Sequence, residues 1–520
     1  MLCACVTCMP TTAAKKKDPL PPQIIYVPHD NRPISDAQTA AVPEKIGFRV
    51  LVPPNEMLGD NDDLGDPERL WNWLYQHAKD ANAAVISVDS LLYGSLVGSR
   101  QHDYTPEVLR TRAKRFADFR KKFPKLRLYA FSSVMRTPKN GEASGHMEPE
   151  YYYSYGADIF RYTALNDKAD TEKLTYREQK EQKFLTKLIP QKYLSDWLGR
   201  REKNLSVNKM LIDLTRRNTF DYFLLGRDDN APYSQTHREN RQLVAYGNGI
   251  GKEKFMSIAG IDEIGMLLLT RATNDIKRDI PFVYVKYNWG AGQRTVPSYS
   301  DESISASVAD EITAAGGMPV TTPEKADLVL MVNTNPSGKT FEAAARSNTS
   351  NPHEGSAYFA ELVKEHVEKK YPVAVADVAY ANGSDNAMMN ELKMRGLLFK
   401  LKAYSGWNTA TNSTGFAIGE GLMARYMKQD AINELLLTRY LDDWAYQGNV
   451  RNTVARQLTW LRGDGVYGRL NEKRDIVAKR TAKMMTAFVN DNIMHIPDGY
   501  KLVIDFPWDR MFEANITWTR

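Results

Sequence analysis

Short apolar runs, each followed at once by a cluster of polar residues, recur along this chain and constrain its fold more than any other feature. The clusters that follow these runs are HDNRP after QIIYVP, DSLLYG after AAVISV, RDDN after FDYFLLG, IDE after KFMSIAG, D and then NGSD after PVAVA, and WNT after LKAYSG. Runs of this length are typical of buried strands, and helical patterns lie between them. In such alternating folds, ligands bind beyond the carboxyl ends of parallel strands.

The alternation of strand and helix patterns also predicts how the chain is divided. We expect an α/β protein with mainly parallel sheets of repeated βα units in two lobes, followed by a helical C-terminal region. The predicted segments are 1–22 as signal or linker, 23–170 as an N-terminal α/β domain, 171–428 as a second α/β domain and 429–520 as the helical C-terminal region. Residues 137–170 form a Tyr-rich insertion that interrupts the alternation, and its polar, Gly-containing sequence predicts a long loop.

Composition excludes some classes of function. The 69 basic and 63 acidic residues are interspersed and leave a formal charge of only +6, so no electrostatic footprint for nucleic acid is expected. No stretch approaches the ~20 apolar residues that a membrane-spanning helix needs. The length of 520 residues indicates two or three domains.

The extreme N-terminus resembles the end of an export signal. Its three cysteines, Cys3, Cys5 and Cys8, are the only ones in the sequence, and Leu2–Cys5 would serve as a lipoprotein cleavage box if the true start lay upstream. The predicted location is therefore periplasmic or extracellular, with lipid anchoring as one route and a cytoplasmic location still open. The folded body has no cysteine for a disulfide, a thiolate metal site or a nucleophile.

Four carboxylates at the ends of two successive strands are the candidate catalytic residues: Asp228, Asp229, Asp262 and Glu263. Glycosidases place two carboxyl groups about 5–10 Å apart, and neighbouring parallel strands lie about 4.8 Å apart. A general acid and a base on adjacent strands are therefore geometrically accessible. The alternative for Asp262 or Glu263 is the commoner use of such residues, as a helix cap or first-turn acid.

The remaining strand-end residues are candidate substrate-binding groups, because carboxylates, guanidinium groups, amides and aromatic rings together suit a sugar. These candidates are Asp30, Arg32, Asp89, Tyr93, Arg136, Asp377, Asn382, Asp385, Trp407, Asn408 and Asn412. Trp407 stands beside two amides, so its indole would face the apolar side of a sugar ring while the amides bind hydroxyl groups. Core packing is the alternative for Trp407.

Other chemistries have weaker signals. The eight histidines lack the HExxH spacing of a zinc site, although an all-oxygen Mg²⁺ or Ca²⁺ site built from Asp30, Asp89 and Asp228 stays open. There is no GxSxG nucleophile elbow, and Gly338-Lys339-Thr340 lacks the first glycine of a phosphate-binding loop. We expect no cofactor and no resident metal, with the all-oxygen site as the alternative.

Together, these motifs resemble the bacterial family known as domain of unknown function 4127. The pieces that carry the resemblance are YVPHDNRP, VLVPPNEMLG, ISVDSLLYGSLVGSR, MRTP, LLGRDDNAPY, IAGIDEIGMLLLTRA, VADVAYANGSD and AYSGWNTATNSTG, which span about residues 23–425. The resemblance implies an α/β protein but supplies no reaction.

The residues themselves favour a hydrolase of glycans, such as amino-sugar or cell-wall oligosaccharides, with a small carbohydrate as substrate. The alternatives are a metal-dependent hydrolase with an Asp/Asn/His site and a non-catalytic sugar-binding protein with two lobes and a cleft. Chelator sensitivity separates the first two, and reversible sugar binding without turnover would select the third.

Overall fold

The computed structural model of the protein describes residues 21–139, 141, 147–458 and 466–520. Most of the predicted leader, including its three cysteines, lies outside the described residues, as do residues 140 and 142–146 of the Tyr-rich insertion. The strands of the described part are β1 (Gln23–Val27), β2 (Arg49–Leu51), β3 (Ala83–Ser87), β4 (Arg127–Val134), β5 (Tyr222–Arg227), β6 (Phe255–Ala259), β7 (Phe282–Tyr287), β8 (Met318–Val320), β9 (Leu328–Asn333), β10 (Phe341–Glu342), β11 (Val373–Asp377), β12 (Tyr380–Ala381), β13 (Ala403–Ser405), β14 (Lys501–Asp505) and β15 (Asn515–Thr519).

Helices lie between most of these strands. They are α1 (Ala37–Glu44), α2 (Pro67–His77), α3 (Val88–Tyr93), α4 (Gly98–Gln101), α5 (Pro106–Lys122), α6 (Tyr151–Thr171), α7 (Tyr176–Leu188), α8 (Gln191–Arg216), α9 (Gln235–Tyr246), α10 (Ile264–Lys277), α11 (Ile304–Ala314), α12 (Glu354–Glu368), α13 (Asn386–Met394), α14 (Ala410–Ala424), α15 (Gln429–Arg439), α16 (Arg451–Gln457) and α17 (Arg474–Asn492), with a π-helix at Tyr440–Val450.

Two parallel sheets confirm the predicted α/β class with two lobes. The first has six strands in the order β2-β1-β3-β4-β5-β6, and the second has five in the order β13-β11-β9-β7-β8. All pairings within these two sheets are parallel. Their central strands are almost wholly buried, as expected for parallel sheets covered by helices on both faces.

The first sheet extends beyond the segment predicted for the N-terminal domain. Strands β5 and β6 follow residue 170 in the chain, yet β5 pairs with β4 and β6 pairs with β5. The helices α6, α7 and α8 therefore form an excursion between two neighbouring strands of one sheet. Because of this arrangement, Arg136 after β4, Asp228 after β5 and Asp262 after β6 start from the same edge of the first sheet.

The two lobes are joined by a close helix pair. Helix α10 packs on the first sheet, α14 packs on the second, and the two helices contact each other. All 15 residues of α14 are buried. Gly415 and Gly419 allow the close approach, since a Cβ atom at Gly419 would lie 2.4 Å from Cγ of Met266, and one at Gly415 would lie 2.5 Å from Cγ of Glu263.

Helix starts follow local capping chemistry. Asp66 accepts hydrogen bonds from the backbone N–H groups of Glu68 and Arg69 and is followed by Pro67 at the first position of α2. At α7, Thr175 and Glu178 form a reciprocal capping box. Both ends are therefore specified by residues next to them in sequence.

The Tyr-rich insertion differs from the predicted long loop. Its second half is the 21-residue helix α6, although Gly and several Tyr residues are weak helix formers. Tertiary packing explains the difference, because Tyr152 is buried against Trp197 of α8, with ring centroids 5.9 Å apart. The short strand β13 begins at Ala403, after a 3₁₀ turn at Leu398–Lys400.

The C-terminal region is helical, as predicted, and ends in an antiparallel hairpin of β14 and β15. Of the helices in the described part, none combines the length and apolar character that crossing a membrane requires.

Candidate active site

A cavity of about 300 Å³ opens at the carboxyl edge of the first sheet. Eight of the predicted site residues line it: Asp30, Arg32, Arg136, Asp228, Asp229, Asp262, Asn382 and Asn408. Loops of the second lobe and of the C-terminal region close the other sides. The other lining residues used below are Arg100, Lys139, Tyr467, Trp508, Arg510 and Phe512.

The first charged cluster of the cavity joins the ends of β1 and β6. Nη2 of Arg32 lies 2.6 Å from Oδ1 of Asp262, and Nε of Arg32 donates to Oδ2 of Asp30 over 2.9 Å. Asp30 also accepts the backbone N–H of Arg32 at 3.1 Å, which shapes the turn after the strand. Nε2 of His29 lies 3.1 Å from Oδ1 of Asp262.

This cluster keeps two carboxylates ionised. Burial would by itself raise the pKa of Asp262, but the Arg32 guanidinium and the His29 contact outweigh it and hold that pKa far below its usual range. The same balance of burial against Arg32 lowers the pKa of Asp30. Asp262 therefore faces the cavity as a permanent negative charge near neutral pH.

The second charged cluster lies at the ends of β4 and β5. Nη2 of Arg100 lies 2.6 Å from Oδ2 of Asp228, and Nη1 of Arg136 lies 3.2 Å from Oδ2 of Asp229. Arg136 also donates from Nε to Oε1 of the buried Glu148 over 2.6 Å. Each of the adjacent aspartates thus has its own guanidinium partner.

Asp229 differs from the other lining carboxylates in its exposure and its proton affinity. The side chain of Asp229 is 29% exposed, against 9% for that of Asp228. The exposed part of Asp229 lines the cavity. Burial, together with the neighbouring charge of Asp228, raises the pKa of Asp229 to about 6. The cavity consequently holds one carboxyl that can carry a proton in mildly acidic solution and one, Asp262, that cannot.

An aromatic wall from the C-terminal region faces these carboxylates. Nε1 of Trp508 donates to Oδ1 of Asn31 over 2.7 Å, and the Arg32 guanidinium lies 5.3 Å from the centre of the Trp508 ring. Tyr467 stacks on Phe512 with ring centroids 5.2 Å apart. Aromatic faces beside carboxylates and amides suit a ligand with apolar and hydroxyl-bearing faces.

The comparison with known families decides the identity of the chain at the family level. A family described as "Protein of unknown function (DUF4127)" matches residues 24–517, nearly the whole chain. The chain belongs to the DUF4127 family. This confirms the resemblance carried by the strand-end motifs. A comparison with curated proteins found no match.

Two amides from the second lobe complete the cavity of this DUF4127 protein. Nδ2 of Asn408 donates to Oδ2 of Asp262 over 3.3 Å, and Nδ2 of Asn382 donates to Oε2 of Glu342 over 2.8 Å. Both asparagines have positive φ angles, a conformation that Asn tolerates better than most residues. Their placement after β12 and β13 means that both lobes contribute to one cavity.

Two predicted residues near β3 lie outside the cavity of the DUF4127 protein. Asp89 is buried and accepts hydrogen bonds from Oγ of Ser132 at 3.1 Å and from the backbone N–H of Ser133 at 3.0 Å. Tyr93 is also buried and stacks on His102, with ring centroids 4.7 Å apart. Both side chains therefore tie β3 and its following helix to neighbouring elements.

Three predicted residues of the second lobe are likewise packed inside the protein. Asp377 accepts the backbone N–H of Asp385 over 2.7 Å, while Asp385 caps the start of α13. Trp407 belongs to a buried apolar cluster with Met266 and Phe416. The core-packing alternative for Trp407 is therefore the one that the structure shows.

Glu263 and Asn412 form a buried pair behind the cavity. Nδ2 of Asn412 donates to Oε2 of Glu263 over 2.6 Å, and Asn412 also belongs to the capping box of α14. Glu263 occupies the N-cap position of α10 without making a side-chain cap bond. Burial, with the neighbouring charge of Asp262, raises the pKa of Glu263 to about 8. Asp228, Asp229 and Asp262 line the cavity, and Glu263 does not.

The sequence patterns missed several lining residues, among them Arg100, Lys139 and Tyr467. One signal was present: Trp508 and Arg510 follow the strand-like run YKLVIDF, just as the recognised clusters follow their strands. Arg100 gave no such signal because its partner, Asp228, lies 128 residues further along the chain.

The all-oxygen metal site considered from the sequence requires Asp89 beside Asp30 and Asp228. Asp30 and Asp228 line the cavity, whereas Asp89 bonds to the Ser132–Ser133 segment. Within the described ranges, no group of three or more His, Cys, Asp or Glu side chains is arranged to hold a metal ion.

Proposed function

We propose that this protein hydrolyses glycosidic bonds, with a small carbohydrate such as an amino-sugar or cell-wall oligosaccharide as substrate. One observation carries the proposal: Asp229 and Asp262 open into one cavity from the ends of neighbouring strands, in opposite electrostatic settings. Glycoside hydrolysis requires such a pair, one carboxyl protonated and the other ionised.

Asp229 is the proposed general acid. Its raised pKa lets it carry a proton in mildly acidic solution, and its exposed part faces the space that a leaving-group oxygen would occupy. Arg136 holds one oxygen of this carboxyl, which fixes its direction.

Asp262 is the proposed ionised partner. Hydrogen bonds from Arg32 and Asn408 hold its carboxylate in place, and its negative charge would stabilise the positive charge that develops at the anomeric carbon. Trp508 and Phe512 would pack on the apolar face of the ring, while Asn382 and Asn408 bind hydroxyl groups. A periplasmic or extracellular location is proposed with this function, because cell-wall glycans lie there.

The test uses aryl glycosides with good and poor leaving groups, together with muropeptide fragments, and measures release of chromophore or reducing sugar. Asp229→Asn should slow cleavage of substrates with poor leaving groups by ~10²–10⁴-fold and activated ones much less, because only the former need a proton. Asp262→Asn should slow both classes. Asp103→Asn, at a side chain that is 89% exposed, is the matched control and should keep the wild-type rate.

Three results would overturn the carboxylate-pair mechanism. The first is wild-type turnover in both cavity variants. The second is hydrolysis that a chelator abolishes, which would select the metal-dependent alternative. The third is tight sugar binding with no turnover by any substrate in the panel, which would select the binding-protein alternative.

A further inference from the structure

The solvent face of helix α7 has a composition unlike that of an ordinary surface helix. Seven exposed residues lie at helical spacing on this side, which we call the α7 face: Tyr176, Arg177, Lys180, Lys183, Phe184, Lys187 and Leu188. Four are basic, three are aromatic or aliphatic, and none is acidic. Their spacings of one, three, four and seven residues place them on one side of the helix, so they form one continuous strip.

Both acidic residues of α7 are paired with basic residues of α6. Glu178 pairs with Lys168 of α6 at 2.8 Å, and Glu181 pairs with Arg161 of α6 at 2.7 Å. Leu185 is buried in the apolar cluster that α6 and α8 share with α7. The helix is therefore fixed through Leu185, and both of its acids are engaged by basic residues of α6, while Arg177 and the three lysines are exposed.

Three large apolar side chains stand among these charges. Tyr176 is 72% exposed, Phe184 is 61% exposed and Leu188 is 42% exposed. Exposed apolar side chains in line with lysines match the two layers of a bilayer surface, in which headgroups carry charge and the acyl boundary lies just beneath. Helix α5 differs, because its exposed basic residues Arg110 and Lys121 lie beside Glu107 and Asp118.

We propose that the α7 face docks the protein on an anionic lipid surface. Arg177, Lys180, Lys183 and Lys187 meet the phosphate headgroups, and Tyr176, Phe184 and Leu188 enter the interface. Each basic residue near such a surface strengthens binding by about fivefold, and insertion of apolar groups adds to this. The cavity-lining residues described above lie on other elements, so the docking face and the proposed catalytic site are separate.

The experiment is co-sedimentation of the full chain with vesicles. Wild-type protein should bind vesicles of phosphatidylcholine with about 30% phosphatidylglycerol and should not bind vesicles of phosphatidylcholine alone. Raising the salt concentration from about 0.1 M to about 0.5 M should release it, because the Debye length shortens.

Two variants of the α7 face separate charge from insertion. Lys180→Glu/Lys183→Glu/Lys187→Glu should weaken binding by more than about tenfold. Tyr176→Ser/Phe184→Ser/Leu188→Ser should also weaken it, while the salt dependence persists. Arg110→Glu/Lys114→Glu/Lys121→Glu on α5 changes the net charge equally and should bind as the wild type does. Circular dichroism melts confirm that each variant is folded.

Any of three outcomes overturns the proposal. The first outcome is that wild-type protein fails to sediment with anionic vesicles at about 0.1 M salt. The second outcome is that the α5 variant loses as much vesicle binding as the α7 charge variant. The third outcome is that the α7 face binds a nucleic acid duplex or single strand and that anionic vesicles do not displace the nucleic acid.

Discussion

At the scale of single residues, the proton affinity of Asp229 depends on its neighbours and can be tested through them. After burial, the charge of Asp228 is the next contribution that raises the pKa of Asp229, while Arg136 and Arg100 lower it. If Asp229 is the general acid, activity should fall as pH rises through about 6. Asp228→Asn removes the like charge and leaves Arg100 without its carboxylate, and both changes lower the pKa of Asp229.

We therefore expect the alkaline limb of the pH profile of kcat/KM to shift to lower pH by about one unit in Asp228→Asn. The measurement is kcat/KM across mildly acidic to neutral pH for a substrate with a poor leaving group. Asp103→Asn should leave the limb in place. A limb that stays where it is, or moves to higher pH, would show that another group sets it.

Glu263 provides a second residue-scale prediction, which concerns stability. Its folded pKa of about 8 lies above the usual value of 4.5, so the folded state keeps a proton that the unfolded chain releases. The contribution of Glu263 to the free energy of unfolding is therefore highest at low pH and declines as pH rises from about 4.5 to about 8.

Glu263→Gln keeps an acceptor for Asn412 and has no proton to lose. Its stability relative to wild type should therefore rise across this window, by up to about 1.4 kcal/mol for each pH unit. Denaturant unfolding at several pH values measures the difference. Glu44→Gln, at an exposed position, is the control. A difference for Glu263→Gln that does not change with pH would contradict burial of a protonated carboxyl.

Residue types at strand ends predicted much of the cavity, because the position after a strand fixes a side chain at one edge of the sheet. The same rule could not separate Asp229 from Asp89, since both follow strands. What differs is the partner: Asp89 bonds to the Ser132–Ser133 segment of the neighbouring strand, whereas Asp229 opens into the cavity. Such pairings depend on distances across the fold that no local pattern encodes.

At the scale of elements, the loop between β14 and β15 is the part of the site that sequence patterns described least. It carries Trp508, Arg510 and Phe512 to the cavity wall, and Trp508 anchors it to Asn31. The run YKLVIDF indicated one strand, but its antiparallel pairing with β15 across this loop did not follow from the sequence pattern. The helix α6 was missed for a related reason, since packing on Trp197 overrides its weak helix propensity.

Trp508 should contribute to substrate affinity through its ring rather than through its hydrogen bond. Trp508→Ala is expected to raise KM by about tenfold, equivalent to about 1.4 kcal/mol, with a smaller effect on kcat. Trp508→Phe should keep most of the affinity, and Asn31→Ala, which removes only the hydrogen bond, should change KM little. Steady-state kinetics with the best substrate of the panel measures all three. Equal losses in Trp508→Phe and Trp508→Ala would contradict ring stacking.

At the scale of the whole molecule, alternation of strands and helices predicted the α/β class and the two lobes, but not the membership of each sheet. Local patterns do not show which strands pair, because the helices α6–α8 form a long excursion in the chain between β4 and its sheet neighbour β5. The joint between the lobes also depends on long-range packing. One buried apolar cluster runs from Ile24 of β1 through Leu268 of α10 to Leu330 of β9.

This shared core predicts that the two lobes unfold together. Ile24 and Leu330 are fully buried in different sheets, and truncating either to Ala should cost about 2–5 kcal/mol. If the core is common to both lobes, Ile24→Ala and Leu330→Ala should each lower the same single transition by a few degrees. Ile280→Ala, at a side chain that is 59% exposed, is the matched control and should shift it little. Differential scanning calorimetry makes the measurement. Two resolved transitions, one moved only by Ile24→Ala and the other only by Leu330→Ala, would show that the α10–α14 contact does not couple the lobes.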